Sequence, residues 1–209
     1  MNTNILIGIM VAIVLTVVGV SVYLNKTVSV QQTYQTATPA PSIQTTPPIG
    51  YYTNALLGFS IQAEGFTVND KYIYQGFGPK NSIHGVQFII PKTLVTGTNL
   101  NPDSYISVEQ LPEAQTCDAN AFLAQHTVQP SVSKNNATYS VATSTDAAAG
   151  NRYEETVYAI TGSTPCTAIR YFIHYSAIEN YPAGTIKQFN KQELISKFET
   201  IRDSLTLSQ

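Results

Sequence analysis

Arg152, Glu154, Glu155, Arg170 and His174 are the residues of this 209-residue chain whose types and spacing could do chemistry together. They fall on two segments, 152–160 and 167–175, that read as long strands. Thr161-Gly162-Ser163-Thr164-Pro165-Cys166 between them has strong turn chemistry, so a hairpin is expected at the centre of a sheet. Directly opposed side chains in such a pair lie about 5 Å apart. A register that set Glu154 beside His174 or Arg170 would make a charge-assisted pair. Such a group could bind a ligand or act as an acid/base pair. It could equally be a structural ion pair that holds the register. On the second strand Ile169, Tyr171, Ile173 and Tyr175 share one face, and Ala168, Arg170, Phe172 and His174 share the other. Both faces carry large apolar groups, so both should be covered.

Other chemical motifs are missing. His84, His126 and His174 lie outside metal-ligand spacing of one another, and none has a carboxylate at i+3 or i+4. No Ser sits in a Gly-x-Ser-x-Gly elbow. Gly76-Phe77-Gly78-Pro79-Lys80 lacks the spacing of a phosphate loop and the helix that must follow it. We therefore expect no metal, no cofactor and no catalytic residue. Eleven Lys and Arg against thirteen Asp and Glu give a net charge of −2, without the basic stripe that holds nucleic acid. The 13 tyrosines, with Thr, Ser, Asn and Gln carrying most of the polarity, fit a β-rich domain.

Two cysteines are present, Cys117 and Cys166. They are too far apart for a CxxC redox motif, and two thiolates cannot complete a zinc site alone. An even pair in an anchored chain reads as one disulfide; the alternative is two buried thiols acting as small hydrophobes. Closing such a loop would stabilise the fold by about 4 kcal/mol in the chain-entropy model. Such bonds persist outside the cytoplasm.

The elements that must position these residues follow in order. Tyr51 to Asn54 and Leu56 to Ile61 read as two short strands round a turn, with Gly58 supplying the unusual backbone angle. Residues 66–74 suggest another hairpin, turning at Asn69-Asp70. Residues 83–90 form a strand ended by Pro91. Residues 104–111 alternate Tyr105, Ser107 and Glu109 against Ile106, Val108 and Gln110, a strand with one wetter face. Thr116 is placed to cap a short helix over 117–125, and 137–145 is a further strand. Asp146 to Gly150 reads as a helical turn or loop ended by Gly. The clearest helix comes last: Asn190 caps it, Glu193 completes a capping box, and Phe189 and Leu194 form a hydrophobic staple. Leu194, Phe198, Ile201 and Leu205 then mark an apolar stripe that must lie on the sheet. Strands first and a closing helix last imply an α+β domain over 51–209.

The first 50 residues are of another kind. Residues 5–24, ILIGIMVAIVLTVVGVSVYL, carry no charge and are long enough, at roughly 30 Å as a helix, to cross a bilayer core. A cleaved signal peptide and a retained anchor both start this way. The run is longer than a signal core, no basic residue precedes it, and its exit is a poor cleavage site, which favours a single-pass transmembrane anchor. Residues 26–50 are rich in Gln, Thr and Pro and read as an extended linker. Lys26 alone argues mildly for the reverse orientation, so the placing of the domain outside the cytoplasm rests on the cysteines.

Tyr52-Thr53-Asn54 followed by Gly58-Phe59-Ser60-Ile61 is similar to the start of Mog1/PsbP-like domains. The ending Phe198-x-x-Ile201 and Ser204-Leu205-Thr206-Leu207 resembles the way those domains finish. The middle, with AAAGNRYEE and RYFIHY, resembles uncharacterised bacterial exported proteins. The resemblance implies an antiparallel sheet packed with helices as an α/β/α sandwich, used for docking to partners. It assigns no functional residue. The expectation for function is a membrane-anchored, extracytoplasmic, non-enzymatic domain that binds a protein or envelope component. A cell-envelope hydrolase or small-solute binder using the Glu/Arg/His group is the alternative.

Overall fold

The structure, a computed structural model, describes residues 50–78 and 80–208. The expected anchor at 5–24 and all of the linker before Gly50 lie outside the described residues. No helix among the described residues is long and apolar enough to cross a membrane.

Among the described residues ten strands and two α-helices follow one another. Strands β1 (Tyr51–Asn54), β2 (Phe59–Gln62), β3 (Thr67–Tyr74) and β4 (Ile83–Ile89) lead to a single helical turn, α1 (Lys92–Val95). Strand β5 (Tyr105–Leu111), a 3₁₀ turn (Ala119–Phe122), β6 (Thr127–Lys134), β7 (Ala137–Ala148), β8 (Asn151–Ile160) and β9 (Cys166–Ser176) come next. A second 3₁₀ turn (Ile178–Asn180), α2 (Lys191–Asp203) and β10 (Thr206–Leu207) close the domain. The large sheet is antiparallel with order β3-β4-β5-β9-β8-β7-β6; β1, β2 and β10 form a small one. The expected central hairpin is there: β9 is the middle strand of seven, with β8 beside it.

One face of the large sheet packs on α2 and the small sheet. Leu194, Phe198 and Ile201, the stripe read from the sequence, are buried there with Phe59, Ile61, Ile169 and Tyr171. The Phe198 and Tyr171 rings lie 5.2 Å apart. Burying a side chain such as Phe198 contributes about 1.5–3 kcal/mol. The helix starts as expected, with the Asn190 side chain accepting from Glu193 N at 3.1 Å. The Glu193 side chain turns instead toward Lys197, at 3.7 Å, so the capping box is half made.

The other face is covered differently from the expected sandwich. Among the described residues it carries the 3₁₀ turn and its flanking chain, whose Ala119, Phe122 and Leu123 pack on Ala142, Val157 and Ala168. The helix expected over 117–125 is therefore only this one turn. Asp118, not Thr116, caps it, accepting from Asn120 N at 2.9 Å. A chain pinned by Cys117–Cys166 at one end and by Phe122 in the core has no room for a longer helix.

Three further expectations are corrected by local backbone chemistry. Asn69-Asp70 does not turn the chain. Residues 67–74 are one strand, and one extra residue is inserted between Asn69 and Tyr72, which pair with Gln87 and Gly85. Asp146 to Ala148 extend β7, and the hairpin turns at Ala149 and Gly150, both at positive φ (49° and 80°), as a two-residue primed turn requires. Asn135 and Asn136, at 50° and 63°, make the same turn between β6 and β7. Strand β6 escapes the sequence reading because Pro130 interrupts its pattern. It is tolerated because β6 is an edge strand and its register shifts there. Finally, β5 has no wet face: Tyr105 to Gln110 are all buried.

Candidate functional site

Arg170 is the hub of the polar interior. It stands on the middle strand, opposite Ser107 of β5 and Val157 of β8. Its side chain is 0% exposed. Nε donates to Glu109 Oε1 at 2.8 Å and Nη2 to Glu109 Oε2 at 2.9 Å, a two-pronged contact. Nη2 also donates to the Phe122 carbonyl at 2.7 Å, and Nη1 meets Glu155. The guanidinium carbon lies 3.5 Å from the centre of the Tyr74 ring. Glu109 accepts further from Ser107 Oγ at 2.7 Å and from the Tyr72 hydroxyl at 3.3 Å. The Tyr72 and Tyr105 hydroxyls share a hydrogen bond of 2.7 Å.

Local backbone features make this cluster possible. The side-chain period of a strand is two, so the extra residue in β3 re-phases everything after it. Tyr72 and Tyr74 thereby reach the same face as Glu109 and Arg170. Gly85 lies between Tyr72 and Glu109 in the ladder. A Cβ there would come within 2.4 Å of the Val108 carbonyl oxygen and 3.0 Å of Glu109 Cγ.

The electrostatics follow from burial and pairing. Burial alone lowers the Arg170 pKa. The charge and hydrogen bonds of Glu109, then the charge of Glu155, outweigh it and hold the guanidinium well above its ordinary range. Burial pushes Tyr72 far above the usual phenol range, with Glu109 adding to the rise. Tyr105 is raised by burial while Arg170 pulls the other way. Tyr74 is pushed up to about 12 by burial, again against Arg170. All three stay protonated at neutral pH; Tyr72 donates to Glu109 and Tyr74 to Glu155, while the Tyr105 hydroxyl bonds that of Tyr72.

The five residues read from the sequence are divided by the register. Glu155 and Arg170 meet. His174 shares their face, but its Nδ1 pairs with Asp103, at 2.8 and 2.9 Å from the two carboxylate oxygens. The imidazole stacks on Tyr153 at 4.4 Å, and its buried Nε2 has no hydrogen-bond partner among the described residues. The Asp103 side chain is 60% exposed. Glu154 pairs with Ile173 in the ladder and so faces the opposite side. It accepts from the Tyr175 hydroxyl at 2.9 Å and pairs with Lys191 of α2. Arg152 is exposed and donates to the Asn151 carbonyl at 3.1 Å. Glu109, Asp103, Tyr72, Tyr74 and Tyr105 complete the clusters and were not among the residues read as a site. Alternation in β5 marks Ser107 and Glu109 as one face, but nothing local says which strand comes to lie beside it.

Chemically the Arg170 cluster is closed. Each guanidinium nitrogen has an acceptor inside the protein. The disulfide Cys117–Cys166, Cα atoms 4.9 Å apart, holds down the segment whose Phe122 carbonyl completes the set. Among the described residues no three His, Cys, Asp or Glu side chains gather as a metal ion requires.

Fold and site together define a disulfide-linked α+β domain built on a seven-stranded antiparallel sheet with an internal charged cluster. No family model matches the sequence, and no curated protein is significantly similar to it. Among solved structures it is similar to the solution structure of cyanobacterial PsbP (CyanoP) from Synechocystis sp. PCC 6803, at 14% identity and a TM-score of 0.37. The match covers 75% of this chain and 91% of that one. A likeness of that degree says nothing of activity, ligand or partner.

Proposed function

We propose that this chain is a binding domain, held at a membrane by residues 5–24, that docks to a protein or cell-envelope component outside the cytoplasm and performs no catalysis of its own. The observation that carries this reading is the closure of the Arg170 cluster. The fully buried Arg170 guanidinium directs every nitrogen at internal partners rather than at a substrate. A disulfide belongs to an oxidising compartment, which supports the outside orientation. The kinship with Mog1/PsbP-like domains suggested by the end motifs belongs to the same reading. A second reading, an envelope hydrolase or solute binder, has one observation in its favour: the His174–Asp103 pair, whose carboxylate is open to solvent.

Fractionation with carbonate washing and protease protection of the full chain tests the anchor and its orientation. The chain is expected in the membrane pellet, with residues 50–208 cut by protease added from outside. Recovery from the cytosol, lipid-free and uncleaved, overturns the proposal. A pull-down with the anchored chain is expected to retain a partner when His174→Ala is introduced. Loss of a measurable hydrolytic activity in His174→Ala and Asp103→Asn, with folding intact, would favour the second reading.

A further inference from the structure

Six large apolar side chains are exposed among the described residues, and four of them, Tyr51, Leu56, Val68 and Ile73, belong to β1, its following turn and β3. These two strands are edges, β1 of the small sheet and β3 of the large one. The turn after β1 lies beside β3. Leu56 and Ile73 line one hollow with Leu57 and His84. Farther along, Val68 pairs with Phe88, whose ring meets that of Tyr52 at 5.4 Å. Leu56 is 93% exposed at the tip of its turn, where water gains nothing from it. Leu56 and Ile73, exposed together beside an unpaired edge, form a contact surface that lacks its partner.

We infer that this edge rests on the membrane to which the chain is anchored, with Leu56 and Ile73 entering the lipid interface. The inference rests on the anchored reading above. The described residues begin at Gly50, which leads directly into β1, the strand that runs to the Leu56 turn. A linker of residues 26–50 keeps the domain at high effective concentration near the bilayer. A small patch then suffices, where a free protein would need a larger one. Each leucine-sized side chain transferred from water contributes about tenfold or more to the contact equilibrium. Asp70 and Lys71, both exposed in the β3 bulge, balance in charge, so the surface suits a zwitterionic interface and needs no anionic lipid.

The test is hydrogen exchange on the full chain in phosphatidylcholine nanodiscs, comparing wild type with Leu56→Ser and with Leu56→Asp/Ile73→Asp. Leu56 is 93% exposed, so Leu56→Ser leaves packing untouched, and unchanged protection of the central strand, residues 166–176, reports that each variant is folded. Outward N–H groups of an edge strand have no partner in the sheet and exchange quickly unless something covers them. Wild type should exchange about tenfold more slowly than the double variant over residues 51–57 and 67–74, and equally elsewhere. Equal exchange in those two segments, with all variants floating with phosphatidylcholine vesicles, overturns the lipid contact and leaves the anchor standing. Protection that rises with the protein-to-lipid ratio assigns the edge to a second copy and also overturns it. Failure of wild type to float removes the anchored reading and this inference with it.

Discussion

Glu109→Gln is the sharpest perturbation of this fold. The side chain is fully buried and receives two hydrogen bonds from Arg170, at 2.8 and 2.9 Å, one from Ser107 at 2.7 Å and one from Tyr72 at 3.3 Å. Gln keeps the size but removes the charge and offers two donors where four are already pointing in. Removing one partner of a buried pair costs about 3–5 kcal/mol, because the remaining charge is left uncompensated. Arg170 keeps Glu155, so the lower end, about 3 kcal/mol, is expected. For a domain of this size that is a fall in Tm of roughly 6–12 °C. In urea the midpoint should drop by about 1–3 M at unchanged slope. Replacing the charges together, as Glu109→Leu/Arg170→Met/Glu155→Leu, should recover part of the loss, since an apolar set of similar volume is often as stable as a buried ion network, while Ser107 and the Phe122 carbonyl lose their partners. A Glu109→Gln shift of less than about 1 kcal/mol, or a triple variant less stable than the single, would refute the claim that the cluster's cost lies in unpaired charge.

Three further outcomes are expected. Cys117→Ala/Cys166→Ala, which opens a loop of sequence separation 49, should lower stability by about 4 kcal/mol, read from urea curves of oxidised and variant protein. Both thiols found free in unreduced peptides would remove that expectation. Tyr72, Tyr74 and Tyr105 hold their protons more tightly folded than unfolded, so the stability they contribute is whole below pH about 10, the free-phenol value. It is lost as pH rises toward the raised values, about 12 for Tyr74. Absorbance at the tyrosinate band should therefore show a late fraction that appears only with unfolding; complete ionisation of a folded protein would contradict it. Gly85→Ala should cost about 1–3 kcal/mol, because the added Cβ meets a backbone oxygen at 2.4 Å that has nowhere to go; an unchanged midpoint would show that β4 can shift away.

What the sequence determined by itself was everything set by neighbours in the chain. Asn190 and the Leu194, Phe198, Ile201 stripe specify α2 and its buried face, because cap and period are local properties. The β8–β9 hairpin was legible from two apolar runs around a turn, and Cys117 and Cys166 could be paired because no third cysteine competes. Only the tertiary structure decided who meets Arg170. A strand shows its two faces from sequence alone, but its register against a distant strand depends on packing, and one residue of slip exchanges the faces. That is why Glu154, adjacent in sequence to Glu155, ends on the side of α2 and Lys191. It is also why Glu109, 61 residues from Arg170, becomes its main partner. The single extra residue in β3 has the same character: Asn69-Asp70 carries turn chemistry, yet the closed ladder with β4 keeps the chain extended and spends the surplus on turning two tyrosines inward.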